Sequence, residues 1–237
     1  MMISAKSVGQ AGIFLLLLLL SFTPLRLLSQ ATNPLLKRVQ DKLNLVKNYR
    51  AEGTLYTDVS FIKIPESKIS VLFKNPDKFK IRKQEGIAIV PKGGVSINLS
   101  SLIGGSNYTA VDAGQSTIGG QPVAVIKLLP LDENSDIVLS TLYIDPNDAV
   151  VRKAKTTTKT NGSYEIEFTY NKYRQWGLPD KVIFLFDAKD YKLPKGVTFE
   201  YETGEQGSSK PASGQGRIEI RYNSYTINKG ISDKEFE

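Results

Sequence analysis

Apolar and polar residues alternate with a period of two along most of this chain, and this alternation restricts the fold more than any other feature. Residues 68–74 read KISVLFK and residues 164–170 read YEIEFTY. Successive side chains of a β-strand point to opposite faces of the sheet, so such segments bury one face and expose the other to water. The sequence therefore predicts a mainly β protein.

Turn-forming residues divide these segments into about ten strands. Gly, Asn, Asp and Pro provide the backbone conformations that tight turns need. The predicted turns lie at residues 84–86, 91–94, 119–120, 145–148 and 160–162, and the Gly/Ser-rich segment 203–216 is predicted to be a flexible hairpin loop. Strands joined by successive hairpins form an antiparallel meander. A sheet of this length must curl, which gives it a concave apolar face.

One helix is predicted before the first strand, over residues 33–49. Asn33 can cap this helix, and Pro34 suits its first position. Five apolar residues fall on one side of it at helical spacing: Leu35, Leu36, Val39, Leu43 and Val46. We therefore expect a one-sided helix that covers the concave face of the sheet.

The first 31 residues have the features of a secretory signal peptide. Lys6 precedes the apolar run of residues 12–20, and Ser29-Gln30-Ala31 fits the small-x-small pattern that signal peptidase recognises. An uncleaved anchor helix is the alternative, but Pro24 interrupts the apolar run before the ~20 residues that a membrane span needs. We expect export with cleavage near Ala31, which leaves residues 32–237 as a single domain.

Histidine and cysteine are both absent from the chain. The chain therefore lacks the commonest general base and metal ligand, and no cysteine can form a disulfide or accept a lipid anchor. The acidic clusters around Asp132 and Asp145 lie in predicted turns, and the sequence has no phosphate-binding loop or nucleophile elbow. We expect a soluble exported protein that is not an enzyme and that uses no cofactor or metal.

The net charge of +7 is modest, and most of the basic residues are dispersed along the chain. The densest group of basic residues is Lys74, Lys78, Lys80, Arg82 and Lys83. Such a group can meet anionic lipid headgroups or an acidic partner, or it can be a solvated strand face that discourages edge pairing. Without a basic stripe or interleaved stacking residues, nucleic acid is not an expected partner.

The hairpin KISVLFKNPDKFKI at residues 68–81 resembles the Pro-x-x-Phe-basic hairpin of the periplasmic lipoprotein carriers, the LolA family and its LolA-like relatives. The motif positions are Pro76, Phe79 and Lys80. The order of parts is also similar, with a signal peptide, an amphipathic helix and a curled antiparallel sheet. The tail YTINKGISDKEF at residues 225–236 resembles the closing strand and tail of LolA-like proteins.

The resemblance implies an unclosed β-barrel with a helical lid, which ferries the acyl chains of lipoproteins from the inner to the outer membrane. It further implies an inner-membrane release machinery and an outer-membrane receptor as partners of a monomeric carrier. Asn75 stands where many carriers have a basic residue, and the strand after Gly86 lacks the aromatic residues often found there. The chain is therefore identified as a divergent relative.

An acyl chain needs a concave apolar wall, because each buried CH₂ contributes about 0.8 kcal/mol. The candidate wall residues are Leu55, Ile69, Val71, Phe73, Phe79, Ile81, Phe168, Ile183 and Leu185. The candidate lid residues are Leu36, Val39 and Leu43. The same side chains can instead pack one another in an ordinary core. The functional hypothesis is a lipoprotein carrier, and the alternative is a non-transporting module that binds a protein partner as an envelope sensor or scaffold.

Overall fold

The structure is a computed structural model that describes residues 33–59, 62–76, 78–83, 103, 107–160, 162–187 and 214–237. The predicted signal peptide and the predicted turns at 84–86 and 91–94 lie outside the described residues, as do residues 203–213 of the Gly/Ser-rich segment. No helix within the described ranges is long and apolar enough to cross a membrane.

The described chain is mainly β, as the alternation predicts, with ten strands in one sheet. The strands are β1 (Asn48–Val59), β2 (Ile62–Lys74), β3 (Lys78–Lys83), β4 (Tyr108–Ile118), β5 (Gln121–Pro130), β6 (Ile137–Asp145), β7 (Val150–Thr158), β8 (Ser163–Thr169), β9 (Lys181–Asp187) and β10 (Gln215–Ile227). The predicted turns at 119–120, 145–148 and 160–162 each separate two of these strands. Gln215 and Gly216 belong to β10, so the predicted loop at 203–216 extends two residues too far at its C-terminal end.

All strand pairs are antiparallel, and the order is β3-β2-β1-β10-β9-β8-β7-β6-β5-β4. Strands that follow one another along the chain are neighbours within β1–β3 and within β4–β10, which is the predicted meander. The pairing of β1 with β10 joins these two parts. Among the described strands, β3 and β4 are the edges, so the sheet is not closed into a barrel.

The helix α1 (Pro34–Asn44) begins where the sequence predicts. The Asn33 side-chain oxygen accepts hydrogen bonds from the backbone N–H of Leu35 at 3.0 Å and of Leu36 at 3.2 Å. The predicted end at residue 49 is wrong, because Tyr49 already pairs with strands on both sides in β1. Val46 is buried, but it lies in the connection after the helix.

The sheet has one predominantly apolar face, which we call the inner face. Residues directly opposite each other on neighbouring strands share a face. Gly53 lies opposite Ile69 on one side and Tyr222 on the other. In the next row, Leu55 lies opposite Ile220, Ile220 opposite Val182, and Val182 opposite Phe168. Leu36 and Val39 of α1 are almost fully buried in the same apolar cluster. Helix α1 therefore packs on the inner face, as predicted. The opposite, outer face carries charged pairs such as Lys153 with Glu165.

Candidate functional site

The inner face beneath α1 is the candidate site, and it brings together most of the residues predicted from the sequence. In the register of β2 and β3, Phe73 lies opposite Phe79 and Val71 lies opposite Ile81. The predicted wall residues that lie on the inner face are Leu55, Ile69, Val71, Phe73, Phe79, Ile81 and Phe168. Phe79 and Ile81, on the edge strand β3, are only partly buried.

Two predicted wall residues, Ile183 and Leu185, lie on the outer face. They stand opposite Glu167 and Glu165 of β8, whereas Phe184 between them points to the inner face. The segment KVIFLFD is apolar at nearly every position, so its pattern does not show which residues face inward. The inward side chains of this strand, which the prediction missed, are Val182, Phe184 and Phe186.

The three predicted lid residues lie on the side of α1 that meets the sheet. Leu36 and Val39 are buried, and Leu43 is partly buried against the same cluster. Polar contacts supplement this packing at the turn between β6 and β7. The Arg38 guanidinium donates to the carbonyl oxygens of Pro146 at 2.9 Å and Asn147 at 3.1 Å, and Lys42 Nζ donates to that of Asp148. We call these three hydrogen bonds the helix anchor.

The opposite side of α1 makes a second polar contact. Gln40 Nε2 donates to the Ile103 carbonyl oxygen at 3.1 Å and to the Tyr108 hydroxyl at 2.7 Å. A hydrogen bond of this kind contributes about 0.5–1.5 kcal/mol net. The polar contacts of α1 are thus individually weak, and burial of its apolar side chains is the main attraction between the helix and the sheet.

A shallow crevice lies between α1 and the sheet, and we call it the Tyr170 cleft. It is lined by Val39, Lys42, Leu43, Ala149, Val150, Tyr170 and Gly177. The cleft is partly open to solvent and has no space for a group as large as a water molecule. Pockets that hold small molecules usually have about 300–1,000 Å³. The Tyr170 cleft therefore cannot hold an acyl chain while α1 stays in this position.

Tyr170 provides the polar group of this cleft. Tyr170 is 5% exposed, and its hydroxyl is buried without a hydrogen bond partner in the described part of the chain. Burial raises the pKa of this hydroxyl far above its ordinary value, and the positive charge of Arg152 opposes that effect only in part. An unpaired buried hydroxyl costs about 1–3 kcal/mol. The sequence prediction missed Tyr170, although the alternation through Phe168 places it on the inner face.

The motif residues of the β2–β3 hairpin have different positions. Pro76 is exposed in the turn, Phe79 contributes to the inner face, and Lys80 lies opposite Leu72 on the outer face. Asn75, which stands where many carriers have a basic residue, donates its backbone N–H to the Lys47 carbonyl oxygen at 2.8 Å. Of the three motif residues, only the phenylalanine is part of the apolar surface.

The basic group next to this motif is partly neutralised by the C-terminal tail, residues 231–237. Asp233 pairs with Lys74 at 2.6 Å and with Lys78 at 3.1 Å. Arg82 donates to the backbone carbonyl oxygen of Glu235. The predicted alternatives for this group were an anionic partner and a solvated strand face, and the structure adds an acidic segment of the same chain as its partner.

The acidic clusters lie in turns between strands, as predicted. Asp132 Oδ1 accepts from the Asn134 backbone N–H at 2.9 Å, and Asp145 Oδ1 accepts from the Asn147 backbone N–H at 3.0 Å. These carboxylates stabilise the turns that join β5 to β6 and β6 to β7.

Neither a protein family nor a curated protein matches the chain by sequence, but solved structures match its fold. A domain from Vibrio parahaemolyticus described as an outer membrane lipoprotein-sorting protein aligns with a TM-score of 0.53 at 9% identity, over 85% of this chain and 95% of that domain. A LolA superfamily protein from Nitrosomonas europaea aligns with a TM-score of 0.53 at 11% identity, over 85% and 96%. This chain has a LolA-like fold.

The LolA-like fold confirms the architecture that the resemblance implied. The match concerns the arrangement of secondary-structure elements, an open antiparallel sheet with a helix. It does not extend to the identity of individual residues. At about a tenth of identical residues, the match is typical of a divergent member of this fold group. The inner face under α1 is accordingly the candidate binding surface of this LolA-like chain.

Proposed function

We propose that this LolA-like protein is a periplasmic carrier that binds the acyl chains of lipoproteins, or of a related lipid, and delivers them toward the outer membrane. The observation that carries this proposal is the predominantly apolar inner face on which α1, a helix of 11 residues, packs. The fold shared with a domain described as an outer membrane lipoprotein-sorting protein supports the same function.

Binding in this proposal exchanges one apolar surface for another. The Tyr170 cleft has no space for an acyl chain, so α1 has to move before one can enter. The side chains of Leu36, Val39 and Leu43 then leave the inner face, and acyl methylenes take their place. Each buried CH₂ contributes about 0.8 kcal/mol, so a chain of several methylenes compensates for the lost helix contacts. Because both occupants are apolar, the exchange is reversible.

The cellular part of the proposal follows the resemblance. The carrier is exported, cleaved near Ala31 and soluble in the periplasm, where it acts as a monomer without enzymatic activity, cofactor or metal. It receives its cargo from an inner-membrane release machinery and passes it to an outer-membrane receptor. The intact mass of the protein recovered from a periplasmic fraction tests the first step, because cleavage after Ala31 leaves a chain that begins at Thr32.

The experiment that tests the carrier function is native mass spectrometry of the protein purified from the cell envelope without detergent. The protein is then mixed with a diacylated or triacylated lipopeptide. A co-purified lipid or a stoichiometric lipopeptide adduct is the expected result. A bare mass under both conditions would contradict the proposal.

A pair of variants on one strand tests whether the inner face is the binding surface. Phe79→Glu introduces a charge on the inner face of β3 and is expected to lower lipopeptide affinity at least tenfold, because a charge next to an acyl chain loses its hydration. Lys80→Glu introduces a carboxylate on the outer face of the same strand and serves as the control. Equal affinities of the two variants would remove Phe79 from the proposed wall.

A protein-binding module is the second candidate, and exposed apolar side chains on the other side of the sheet favour it. Val111 of β4 and Leu129 of β5 are 45% and 42% exposed, and Leu131 and Val138 beside the turn to β6 are exposed as well. Exposed apolar groups of this kind occur at protein interfaces. This candidate predicts that Leu129→Lys impairs binding of the protein partner in cells, whereas lipopeptide binding is absent or unchanged.

A further inference from the structure

The Tyr170 cleft contains polar groups that an ordinary apolar core does not need. Its walls are formed by Val39 and Leu43 of α1 and by Ala149 and Val150 beside the β6–β7 turn. Tyr170, the residue with the buried hydroxyl, also lines the cleft. Acyl methylenes require only the apolar part of this lining, so the hydroxyl calls for a separate explanation.

Hydrogen bonding distinguishes Tyr170 from another tyrosine of the same layer. The Tyr225 hydroxyl donates to the Pro179 carbonyl oxygen at 2.7 Å. The Tyr170 hydroxyl is buried and has no hydrogen bond partner among the described residues. Buried polar groups in folded proteins nearly always have hydrogen bond partners. A buried hydroxyl without one, on the wall of a cleft, indicates that its partner belongs to a ligand.

The groups around Tyr170 favour a ligand that accepts hydrogen bonds. Arg152 Nε, which can only donate, is a second buried atom without a partner, and the positive charge of Arg152 acts on Tyr170. Lys42 also lines the cleft, but its ammonium group already donates to the Asp148 carbonyl oxygen. Two buried donors without an acceptor, next to the positive charge of Arg152, fit an oxygen atom with lone pairs.

The path from Tyr170 leads to the apolar wall. Phe168 is two residues away on β8, its ring stacks with that of Tyr170 at a centroid distance of 6.4 Å, and both side chains point to the inner face. A ligand with an oxygen at Tyr170 can therefore continue as an apolar chain over Phe168. This is the shape of an acyl chain with its carbonyl group at one end.

We propose that, when α1 has moved, the Tyr170 hydroxyl donates a hydrogen bond to the carbonyl oxygen at the head of the acyl chain and thereby determines where the head of the cargo is held. The inference rests on the proposed carrier function and adds a polar subsite to it. An ester carbonyl of an acylated lipoprotein and the carboxylate of a free fatty acid share this chemistry.

The test compares binding of decanoate, methyl decanoate and decane, delivered from cyclodextrin, to the wild-type protein and to Tyr170→Phe. Trp176 is the only tryptophan of the chain and is adjacent to Gly177 in the cleft wall, so its fluorescence reports binding. Loss of one hydrogen bond is expected to weaken binding of at least one oxygen-containing ligand about fivefold and to leave decane binding unchanged. The ligand that is affected identifies a carboxylate or an ester as the cargo head.

Tyr225→Phe is the matched control, because it removes a hydroxyl that has a partner. It is expected to lower the melting temperature without affecting the preference for oxygen-containing ligands, whereas Tyr170→Phe is expected to keep or raise the melting temperature of the free protein. If Tyr170→Phe binds all three ligands as the wild type does, the polar subsite is wrong and the carrier function stands. If the wild type binds none of the three ligands or the lipopeptide, both proposals fail.

Discussion

At the scale of single residues, Gly53 shows how closely the central strands approach each other. It lies at the irregularity in the pairing of β1 with β10, and a Cβ at this position would be 2.4 Å from the Arg221 carbonyl oxygen. Because a backbone atom cannot move aside as a flexible side chain can, any larger residue distorts the β1–β10 pair. That pair is the connection between the two parts of the sheet.

We therefore expect Gly53→Ala to lower the free energy of unfolding by about 2 kcal/mol or more, as measured by urea denaturation. Gly230→Ala is the control, because Gly230 has a positive φ but open space around it, and its replacement costs about 1 kcal/mol from the backbone alone. Equal losses in the two variants would show that the contact with Arg221 is not limiting.

Glu219 is a buried carboxylate on the outer face, with a side chain only 6% exposed. Burial raises the pKa of this carboxyl, but hydrogen bonds from Arg217 and Arg221 outweigh burial and hold the pKa below its ordinary value of 4.5. A lowered pKa stabilises the folded state above pH 4.5, and this stabilisation is lost as the pH falls through the lower folded value.

The expected result is that Glu219→Gln destabilises the protein by about 1 kcal/mol at pH 7, since the two arginines are largely solvated. The difference from the wild type should shrink as the pH is lowered below 4.5. Urea denaturation of both proteins between pH 3 and pH 7 measures it, and a difference independent of pH would rule out the ionised carboxylate as its origin.

At the scale of elements, helix α1 has a buried apolar face, but it is so short that it would be only marginally stable in isolation. Helices shorter than ~12–15 residues are unstable in isolation, so α1 depends on its contact with the sheet. Those contacts are the helix anchor, the bonds of Gln40, and the burial of Leu36 and Val39. The carrier proposal requires this helix to leave the inner face while the strands beneath it stay folded.

Val39→Asp tests whether α1 is a lid. We expect lipopeptide affinity to fall more than the free energy of unfolding does, because the displaced helix has to cover the acyl chain with its apolar side, whereas the sheet keeps its own core. Lys37→Asp places the same charge on the exposed side of α1, where it also removes the exposed ion pair with Asp41. It is therefore expected to lower the free energy of unfolding by no more than about 1 kcal/mol and to leave the affinity unchanged. Parallel losses of affinity and stability in Val39→Asp would support the packed-core alternative.

The helix anchor gives a second prediction for this element. Arg38→Ala removes two exposed hydrogen bonds to the β6–β7 turn and is expected to raise the hydrogen exchange rate of α1 amides several-fold, with little change in melting temperature. Exchange in β8 and β9 should stay the same. Unchanged exchange in α1 would show that apolar packing alone holds the helix.

At the scale of the whole molecule, the C-terminal tail contacts the three neighbouring strands β1, β2 and β3. β1 follows α1 and pairs with β10, and the C-terminal tail returns to the outer face of β1, β2 and β3 through Arg50, Lys74 and Lys78. Ile231 of the tail is buried. The tail therefore combines exposed ion pairs with apolar burial, and the two contributions respond differently to salt.

Deletion of residues 231–237 is expected to lower the melting temperature at every salt concentration, because it removes the burial of Ile231. The double variant Asp233→Asn, Glu235→Gln removes only the ion pairs. Its smaller effect should disappear in 0.5 M NaCl, where the Debye length is about 4 Å. Melting curves at low and high salt measure both effects, and a deletion effect that also disappears in salt would leave the tail with an electrostatic role alone.

The sequence by itself determined the elements of this protein, because local rules govern them. Alternation with a period of two identified the strands, turn residues separated them, and Asn33 and Pro34 marked the start of α1. The same rules placed Phe73 and Phe79 on one face. They did not place the end of α1, because pairing of Tyr49 with two neighbouring strands overrides the helical spacing of Val46.

The tertiary structure alone decided what depends on pairing between distant segments. It joined β1 to β10, left β3 and β4 as the edges of the described sheet, and turned Ile183 and Leu185 to the outer face. It also left the Tyr170 hydroxyl without a partner beneath α1. A strand that is apolar on both sides carries no local signal for its inner face. A hydroxyl without a hydrogen bond partner can be recognised only when the positions of all its neighbours are known.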